Sequence, residues 1–423
     1  MVLERGVVLL ACATLIAALV AVDVTFTVPA VIGLAILCAV ILVEFPGERP
    51  PAWIVTPAAA VTLVWLALRP PGGDVISTPW LVPGLAVGAV AAVLVAVLPL
   101  LPSTRWLTAA ALAGMAVSFG LVILGGHPLI DVWVMLRDAG AGLLHGRNPY
   151  ELAFPDVPPG EDDYCFPYAP GAFLLAAPGQ WLLGDVRWLE SAHLVGAIVL
   201  VAWHARNRGR VGDDGALPLA LLLGVLPGTL HVVEQSWTEP MLLLSVVVAA
   251  ILIDRDRPAW AILPLAAALA TKQYMVVLLP LLFFWPAFGW RRVVATGALA
   301  GAVCLPWFLA NPQRFVACTV GFHLHFPQPA WSLSVWQLLP DPLKIVAVLA
   351  ALAIAYVVVV RRAPQSGAGF LMGAGTVLAA FDVTNKSTFL NEWWFAAELI
   401  VAGLAIAAVG PAAAGAKARN ELP

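Results

Sequence analysis

Residues 343–362 read LKIVAVLAALAIAYVVVVRR, and this stretch decides the class of the protein. It carries no charged residue between Ile345 and Val360. About 20 mostly apolar residues cross the hydrocarbon core of a bilayer. The arginine pair that follows marks a cytoplasmic end, because short cytoplasmic loops collect Lys and Arg. The stretch therefore predicts a transmembrane helix whose carboxyl end lies inside the cell.

The rest of the chain has the same character. Of its 423 residues, 61% are hydrophobic and 11% are charged, whereas soluble domains carry about 25% charged residues. A soluble globule cannot bury so much apolar surface, so the composition excludes a cytosolic enzyme, a small disulfide-stapled secreted domain and a disordered chain. The net charge of −3 gives no general attraction to polyanions, and nucleic acid is not an expected partner.

Apolar runs of span length recur along the whole sequence. Two regions are ambiguous: 166–183 carries three prolines, which break a helical ladder, and 259–287 is interrupted by the polar triplet 271–273 (TKQ). The clear candidates are 7–22, 28–45, 52–68, 80–101, 106–125, 188–204, 217–232, 239–253, 292–309, 343–360, 367–382 and 393–411.

Basic residues orient these runs. All basic clusters become cytoplasmic if the amino terminus lies inside, 166–183 does not span, and 259–287 forms two short helices. The clusters are Arg206 with Arg208 and Arg210, Arg255 with Arg257, Arg291 with Arg292, Arg361 with Arg362, and Lys417 with Arg419. The sequence thus predicts an all-α polytopic protein of the plasma membrane with about 14 spans. The predicted outer loops are 126–187, 310–342 and 383–392.

Polar residues divide the chain into three parts. Residues 1–105 have almost no polar side chains in their apolar runs and are predicted to form an N-terminal bundle of four extra spans. Residues 106–411 carry the polar outer loops and form the main membrane domain. Residues 412–423 form a predicted cytoplasmic tail.

The first outer loop is acidic and contains a predicted surface helix. Residues 131–144 (DVWVMLRDAGAGLL) have helical apolar spacing, and Gly146 follows as a stop signal. Asp131 has two interpretations: a capping carboxylate stabilised by the helix dipole, or a general base at the membrane boundary. Arg137 either holds a phosphate through paired hydrogen bonds or pairs with Asp138.

Lys272 is the most informative single residue, because it lies between two apolar runs. A lysine at membrane depth is costly unless it meets a cavity, a partner or the interface. It is therefore expected either to bind an anionic lipid head group or to snorkel. In the turn 234–240 (EQSWTEP), Glu234 and Glu239 flank a tryptophan, which describes an ordinary polar turn or a pair of carboxylates that binds sugar hydroxyls.

His323 and His325 alternate in FHLHF and are predicted to share one face of an extended segment. No third ligand is near, so contact with a phosphate or a hydroxyl is favoured over metal binding. The triplet 161–163 (EDD) either ligates a divalent cation or, as favoured here, forms a solvated turn. No cofactor is therefore expected. The five scattered cysteines argue against a disulfide framework and against a zinc site.

Together these motifs resemble the GT-C superfamily of glycosyltransferases that use polyprenyl-phosphate sugars, in particular its bacterial mannosyltransferase-like members. The likeness covers about 106–411 and lies in the order and spacing of short motifs. The family pattern has an aspartate after the first core span, a surface helix, G-x-N/D-P-Y and Y-x-P. The corresponding residues here are Ile130-Asp131, 146–150 (GRNPY), 168–170 (YAP), 237–240 (WTEP), 270–272 (ATK) and 385–391 (NKSTFLN).

The resemblance implies a GT-C-like helical bundle and an inverting sugar transfer on the extracytoplasmic face. The donor would be a polyprenyl-phosphate sugar, with mannose favoured, and the acceptor a hydroxyl of a glycolipid or polysaccharide. Asp131 occupies the position of the base. The implied ligands of the donor phosphate are Lys272, Arg137, His323 and His325. The implied substrate-binding residues are Tyr150, Tyr168, Glu234, Glu239, Lys386 and Asn391.

The rival function is a multi-span transporter or flippase for a lipid-linked or polar substrate, and a third is a scaffold without catalysis. A transporter of this size is expected to show inverted repeats and matched broken helices, and the sequence shows neither. Its substrate site would lie near the middle of the membrane, whereas the polar residues here gather on one outer face.

Overall fold

The computed structural model of the protein describes residues 5–22, 26–45, 80–98, 105–128, 130–157, 165–208 and 216–407. The predicted span 52–68, the acidic triplet Glu161-Asp162-Asp163 and the predicted tail 412–423 lie outside these ranges.

All regular structure in the described ranges is helical, which confirms the predicted all-α class. The α-helices are Arg5–Val22, Val28–Glu44, Leu81–Val97, Arg105–Leu124, Asp131–Leu144, Gly171–Leu183, Arg187–Arg208, Ala216–Leu222, Thr229–Glu234, Glu239–Asp254, Ile262–Thr271, Leu279–Phe284, Gly289–Ala310, Pro312–Val316, Phe322–His325, Asp341–Arg362, Gly367–Asp382 and Leu390–Ile406. Shorter helical turns are Pro149–Glu151, Gln273–Leu278, Ala317–Gly321 and Val335–Leu338.

The number of long helices differs from the prediction. In the described part of the chain, four helices are long and apolar enough to cross a membrane: Trp106–Leu124, Arg187–Asn207, Gly289–Ala310 and Asp341–Arg362. The prediction of about 14 spans is therefore wrong. Several apolar runs are broken into short helices, and 217–232 becomes Ala216–Leu222 and Thr229–Glu234. The ten-residue helix Ile262–Thr271, for example, rises only about 15 Å, which is half the thickness of a bilayer core.

Two of the long helices leave most of their apolar side chains uncovered. In Gly289–Ala310, Leu309 is 66% exposed, and in Asp341–Arg362, Leu349 is 63% exposed. Contiguous apolar surfaces of this extent mark contact with a partner or with a membrane. On helices of span length, such surfaces are the ones that lipid covers.

The helix Leu390–Ile406 is buried along its whole length and forms the centre of the bundle. It packs against Gly367–Asp382 and against Arg5–Val22. A Cβ at Gly375 would lie 2.6 Å from the carbonyl oxygen of Ala396, so only glycine lets these two helices approach so closely. The amino-terminal helices thus share one hydrophobic core with the rest of the protein.

Lys272 lies between two short helices, as the sequence predicted for 259–287. Ile262–Thr271 ends where the Lys272 backbone becomes extended (φ −142°, ψ 125°). The chain continues as the 3₁₀ turn Gln273–Leu278 and the helix Leu279–Phe284. Both α-helices pack against Gly289–Ala310.

The segment predicted as the first outer loop has an apolar core of its own. The predicted surface helix is present as Asp131–Leu144, and Gly146 follows it with φ +66°, the left-handed conformation expected of a stop signal. The helix packs against Gly171–Leu183. That second helix is continuous through Pro178, so the predicted proline break is wrong. Its 13 residues rise about 20 Å, less than a full span.

Candidate functional site

Lys272 is the centre of a polar cluster formed by side chains from distant parts of the chain. Its Nζ lies 2.5 Å from Glu239 Oε1 and 3.3 Å from Glu392 Oε1. Asn391 Nδ2 donates to the same Glu239 oxygen over 2.9 Å. Glu239 begins the helix Glu239–Asp254, and Glu392 lies in the first turn of its own helix. The positive ends of two helix dipoles therefore help to hold both carboxylates.

The charge of Lys272 is maintained inside this cluster. Its side chain is 12% exposed. Burial opposes the charge, but Glu239 and Glu392 outweigh it and hold the pKa of the Lys272 ammonium above its usual value. The rings of Tyr168 and Tyr274 lie 5.8 and 5.2 Å from Nζ, within cation–π range. Lys272 is therefore a cation at neutral pH, and two carboxylates already neutralise it.

Several polar atoms around Lys272 are buried without a hydrogen-bond partner among the described residues. They are Glu239 Oε2, both carboxyl oxygens of Asp382 and the Tyr274 hydroxyl. Asp382 is 1% exposed and lies within electrostatic range of Lys272, Glu239 and Glu392. An unpaired buried polar group costs about 1–3 kcal/mol, so such a concentration of them marks a functional position.

Gln273, next to Lys272, joins two of the predicted outer loops. Its Nε2 donates to the carbonyl oxygen of Pro167 over 2.7 Å and to that of Thr319 over 3.0 Å. His323 Nε2 also contacts the Pro167 oxygen, at 3.0 Å. The loop that begins at 383 joins from the other side, where Lys386 Nζ donates to the Leu324 carbonyl over 3.4 Å. The loops that the sequence placed outside therefore meet around the turn at Lys272.

A disulfide reinforces this junction. Cys165 and Cys318 are paired, with their Cα atoms 5.5 Å apart and 153 positions between them in the sequence. Cys165 lies two residues before Pro167, and Cys318 lies directly before Thr319, the two residues whose carbonyl groups Gln273 bridges. The inference from scattered cysteines was wrong for this pair, because sequence spacing carries no information about which distant loops pack together.

Asp131 is the first residue of its helix, with Ile130 as the N-cap. Its Oδ1 accepts from the Val132 backbone N–H over 2.8 Å, so the carboxylate is held at a helix amino end. Val132 belongs to the apolar core that also contains Met241, two residues after Glu239. The shared core connects the Asp131 helix with the segment that carries the Lys272 cluster.

A buried arginine anchors the same helix to the membrane bundle. Arg187 is completely buried and donates to both Asp185 oxygens, with Nη2 2.7 Å from Oδ2. It also donates to the carbonyl oxygens of Val122, Ile123 and Gly126. Trp133 Nε1 donates to Asp185 over 3.4 Å. Asp185 thus links the surface helix to the carboxyl end of Arg105–Leu124.

Arg137 pairs with Asp138, which is one of the two roles predicted for it. Its Nε lies 2.7 Å from Asp138 and its Nη2 2.8 Å from Asp156. The guanidinium also lies over the Trp133 ring at 4.8 Å. The hydrogen bond that Arg137 donates to Asp138 raises the pKa of the guanidinium above its usual value. Two carboxylates satisfy this cation, and it is poorly placed to hold a phosphate.

The two histidines do not share a face. Phe322–His325 is a helical turn, not the predicted extended segment, so residues two apart point in different directions. His325 Nδ1 contacts the Gly321 carbonyl at 2.8 Å. Partial burial and the charges of Lys272 and Lys386 lower the pKa of His323. His323 is therefore neutral at pH 7 and lies near both lysines.

The remaining predicted substrate residues occupy different environments. Tyr150 is buried, and its hydroxyl donates to the Tyr168 carbonyl over 2.9 Å, which is a structural role. Glu234 is buried 3.2 Å from Gln235 Nε2 and from His231 Nδ1. Tyr168, Glu239 and Asn391 lie at the Lys272 cluster, and Lys386 lies beside the histidine turn.

Four residues of the cluster were not identified from the sequence: Gln273, Tyr274, Asp382 and Glu392. Asp382 is the one charged residue in the apolar run 367–382, and intramembrane carboxyl groups are functional candidates. That signal was available. Gln273 and Glu392 sit in ordinary polar sequence, and only their tertiary contacts distinguish them.

The described residues contain no group of three or more His, Cys, Asp and Glu side chains arranged to hold a metal ion. The triplet 161–163 lies outside them. No family model matches the chain, and no curated protein or solved structure is detectably similar to it. The resemblance to GT-C glycosyltransferases therefore remains a prediction from short motifs.

Proposed function

We propose that the protein is an integral-membrane glycosyltransferase that moves a sugar, mannose favoured, from a polyprenyl-phosphate donor to a hydroxyl group of a glycolipid or polysaccharide. One observation carries the proposal. Polar side chains from segments far apart in an apolar chain meet around Lys272, next to the loop that carries Asp131. A lipid-linked donor and a polar acceptor would have to meet at such a place.

Asp131 is assigned as the base. In an inverting transfer, the acceptor hydroxyl attacks the anomeric carbon and loses its proton to the base, while the bond from that carbon to the phosphate oxygen breaks. The leaving group departs as polyprenyl phosphate. The hydrogen bond from the Val132 N–H orients the Asp131 carboxylate.

The leaving phosphate needs donors and positive charge, because negative charge develops on it in the transition state. Arg137 is already paired with two carboxylates. His323 and Lys386 are better placed, since the described residues offer them only backbone carbonyl partners. They lie on two predicted outer loops, 310–342 and 383–392, that contact each other. They are assigned as the phosphate ligands.

The disulfide supports an extracytoplasmic site. Disulfides persist in oxidising compartments and are rare in the cytosol. Cys165 and Cys318 belong to the loops that basic residues also place outside. The long helices with uncovered apolar faces offer a lipid-facing surface for a polyprenyl chain.

The transporter alternative also has a supporting observation. Glu398 is completely buried in the central helix, beside the Thr229 hydroxyl. Buried carboxyl groups of this kind occur in proton relays of pumps and transporters. A lone buried carboxyl accounts for none of the outer-loop cluster, so the glycosyltransferase is the better supported of the two.

The test uses purified protein and a panel of polyprenyl-phosphate sugars that includes mannose, glucose and arabinose. We expect saturable binding of one donor and slow release of its sugar to water. Asp131→Asn should bind the same donor without releasing the sugar. The transporter would be the better explanation if the wild type bound no donor and yet moved a lipid-linked substrate across the membrane of proteoliposomes.

A further inference from the structure

The carboxyl groups around Lys272 outnumber the cation. Glu239 and Glu392 contact Nζ directly, and Asp382 lies within electrostatic range of all three side chains. A phosphate at this position would bring a further negative charge into a buried cluster in which two carboxylates, Glu239 and Glu392, already contact the one ammonium. Like charges at close range in a low-dielectric setting repel strongly. The cluster is therefore unsuited to the donor phosphate.

The unpaired atoms of the cluster indicate what it does accept. Glu239 Oε2 is an acceptor, and the side chains of Glu239 and Asp382 are almost completely buried. No cation contacts Asp382 among the described residues, so its buried carboxyl group is neutral and both donates and accepts. The Tyr274 hydroxyl also donates and accepts. These atoms require a ligand that donates and accepts hydrogen bonds. Two tyrosine rings beside Lys272 add apolar faces.

We propose that Glu239, Asp382 and Glu392, with Lys272 and Tyr274, form a subsite for the hydroxyl groups of the transferred sugar. Access is from the edge where Lys272 and Glu392 are each 12% exposed. A sugar hydroxyl that enters there accepts from the flexible Lys272 ammonium and donates to a carboxylate. The inference rests on the proposed glycosyl transfer and assigns the phosphate to His323 and Lys386 on the neighbouring loops.

The test separates sugar from phosphate. The two probes are a polyprenyl-phosphate mannose and the methyl ester of the same polyprenyl phosphate. Both are phosphodiesters with one negative charge, and only the first carries sugar hydroxyls. Affinities are measured for the wild type, for Asp382→Asn and for Glu392→Gln, which preserve side-chain size. The matched control is Asp256→Asn, an exposed carboxylate at the opposite end of the Glu239–Asp254 helix.

We expect the wild type to prefer the mannose probe. Glu392→Gln should lose about 10- to 100-fold in affinity for that probe, the effect of a charged hydrogen bond to a hydroxyl, and Asp382→Asn about 2- to 10-fold, the effect of a neutral one. Their affinity for the methyl ester should stay unchanged, which also shows that they are folded. The Asp256→Asn control should match the wild type with both probes.

Two results would overturn the subsite. One is an equal loss of affinity for both probes in the variants, which would show that this cluster binds the phosphate. The other is a wild type that binds both probes equally well. A wild type that binds neither probe, nor any other member of the donor panel, would instead remove the proposed glycosyl transfer itself.

Discussion

Cys165 and Cys318 form a disulfide across 153 positions of sequence, within two residues of the carbonyl groups of Pro167 and Thr319 that Gln273 bridges. The covalent bond and the glutamine therefore hold the same two loops together beside Lys272. The loops carry the Tyr168 ring on one side and His323 on the other. The geometry of the polar cluster depends on this junction.

Removal of the disulfide should loosen the outer loops. We expect Cys165→Ser or Cys318→Ser to lower the free energy of unfolding by about 2–5 kcal/mol, as for other native disulfides that close long loops. Cys304→Ser, which removes an unpaired cysteine, is the control. Thermal unfolding of the purified proteins in detergent gives the comparison. Full alkylation of Cys165 in the non-reduced wild type would contradict the pairing.

The side of the membrane is testable with single cysteines. In a background without Cys12, Cys38 and Cys304, we expect an impermeant maleimide to label His145→Cys on intact cells. The reagent should label Asp256→Cys and Gln365→Cys only after permeabilisation, because these positions lie in the loops that carry the arginine clusters. Labelling of Gln365→Cys from outside would reverse the topology and the proposed site with it.

Asp131→Asn should abolish sugar transfer without unfolding the protein. A general base contributes about 10²- to 10⁴-fold to a rate, and an amide cannot take the acceptor proton. The Asn side-chain oxygen can still accept from the Val132 N–H, so the start of the helix is preserved. Turnover is measured with the donor identified by the panel. Asp156→Asn on the same loop is the control, and near-normal turnover of Asp131→Asn would reject its role.

Arg187→Met should be strongly destabilising, by about 3–5 kcal/mol. The substitution leaves Asp185 buried without its cation and strips the carbonyl oxygens of Val122, Ile123 and Gly126 of their donor. Arg147→Ala, at an exposed position, should change stability by no more than about 0.5 kcal/mol. Equal unfolding temperatures for the two variants would show that the buried network is dispensable.

Donor binding should depend on pH through His323. The lowered pKa of this side chain keeps it neutral at pH 7, so its positive charge appears only as the pH falls below the usual histidine range. Affinity for the phosphodiester donor, whose own charge is constant there, should therefore rise as the pH falls. His323→Gln should remove this rise. A variant with the wild-type pH profile would place the titrating group elsewhere.

Apolar runs and helical spacing are local properties, and they suffice for the helical class, the helix at 131–144 and the stop at Gly146. Interruptions of a helix inside an apolar run are harder to predict from the sequence. The run 217–232 reads as one span, yet it forms two short helices, because tertiary packing can bury a broken backbone that an isolated helix would not tolerate. The continuous helix through Pro178 is the opposite case.

The sequence by itself determined that this is a helical membrane protein whose polar residues concentrate in a few loops, and it singled out Asp131, Glu239 and Lys272. Only the tertiary structure decided their partners. The bonds from Lys272 to Glu239 and Glu392, the pairing of Cys165 with Cys318, and the burial of Asp382 all join residues far apart in the chain. Periodicity and composition report which face of an element is apolar. Which distant elements meet depends on how their buried surfaces fit together.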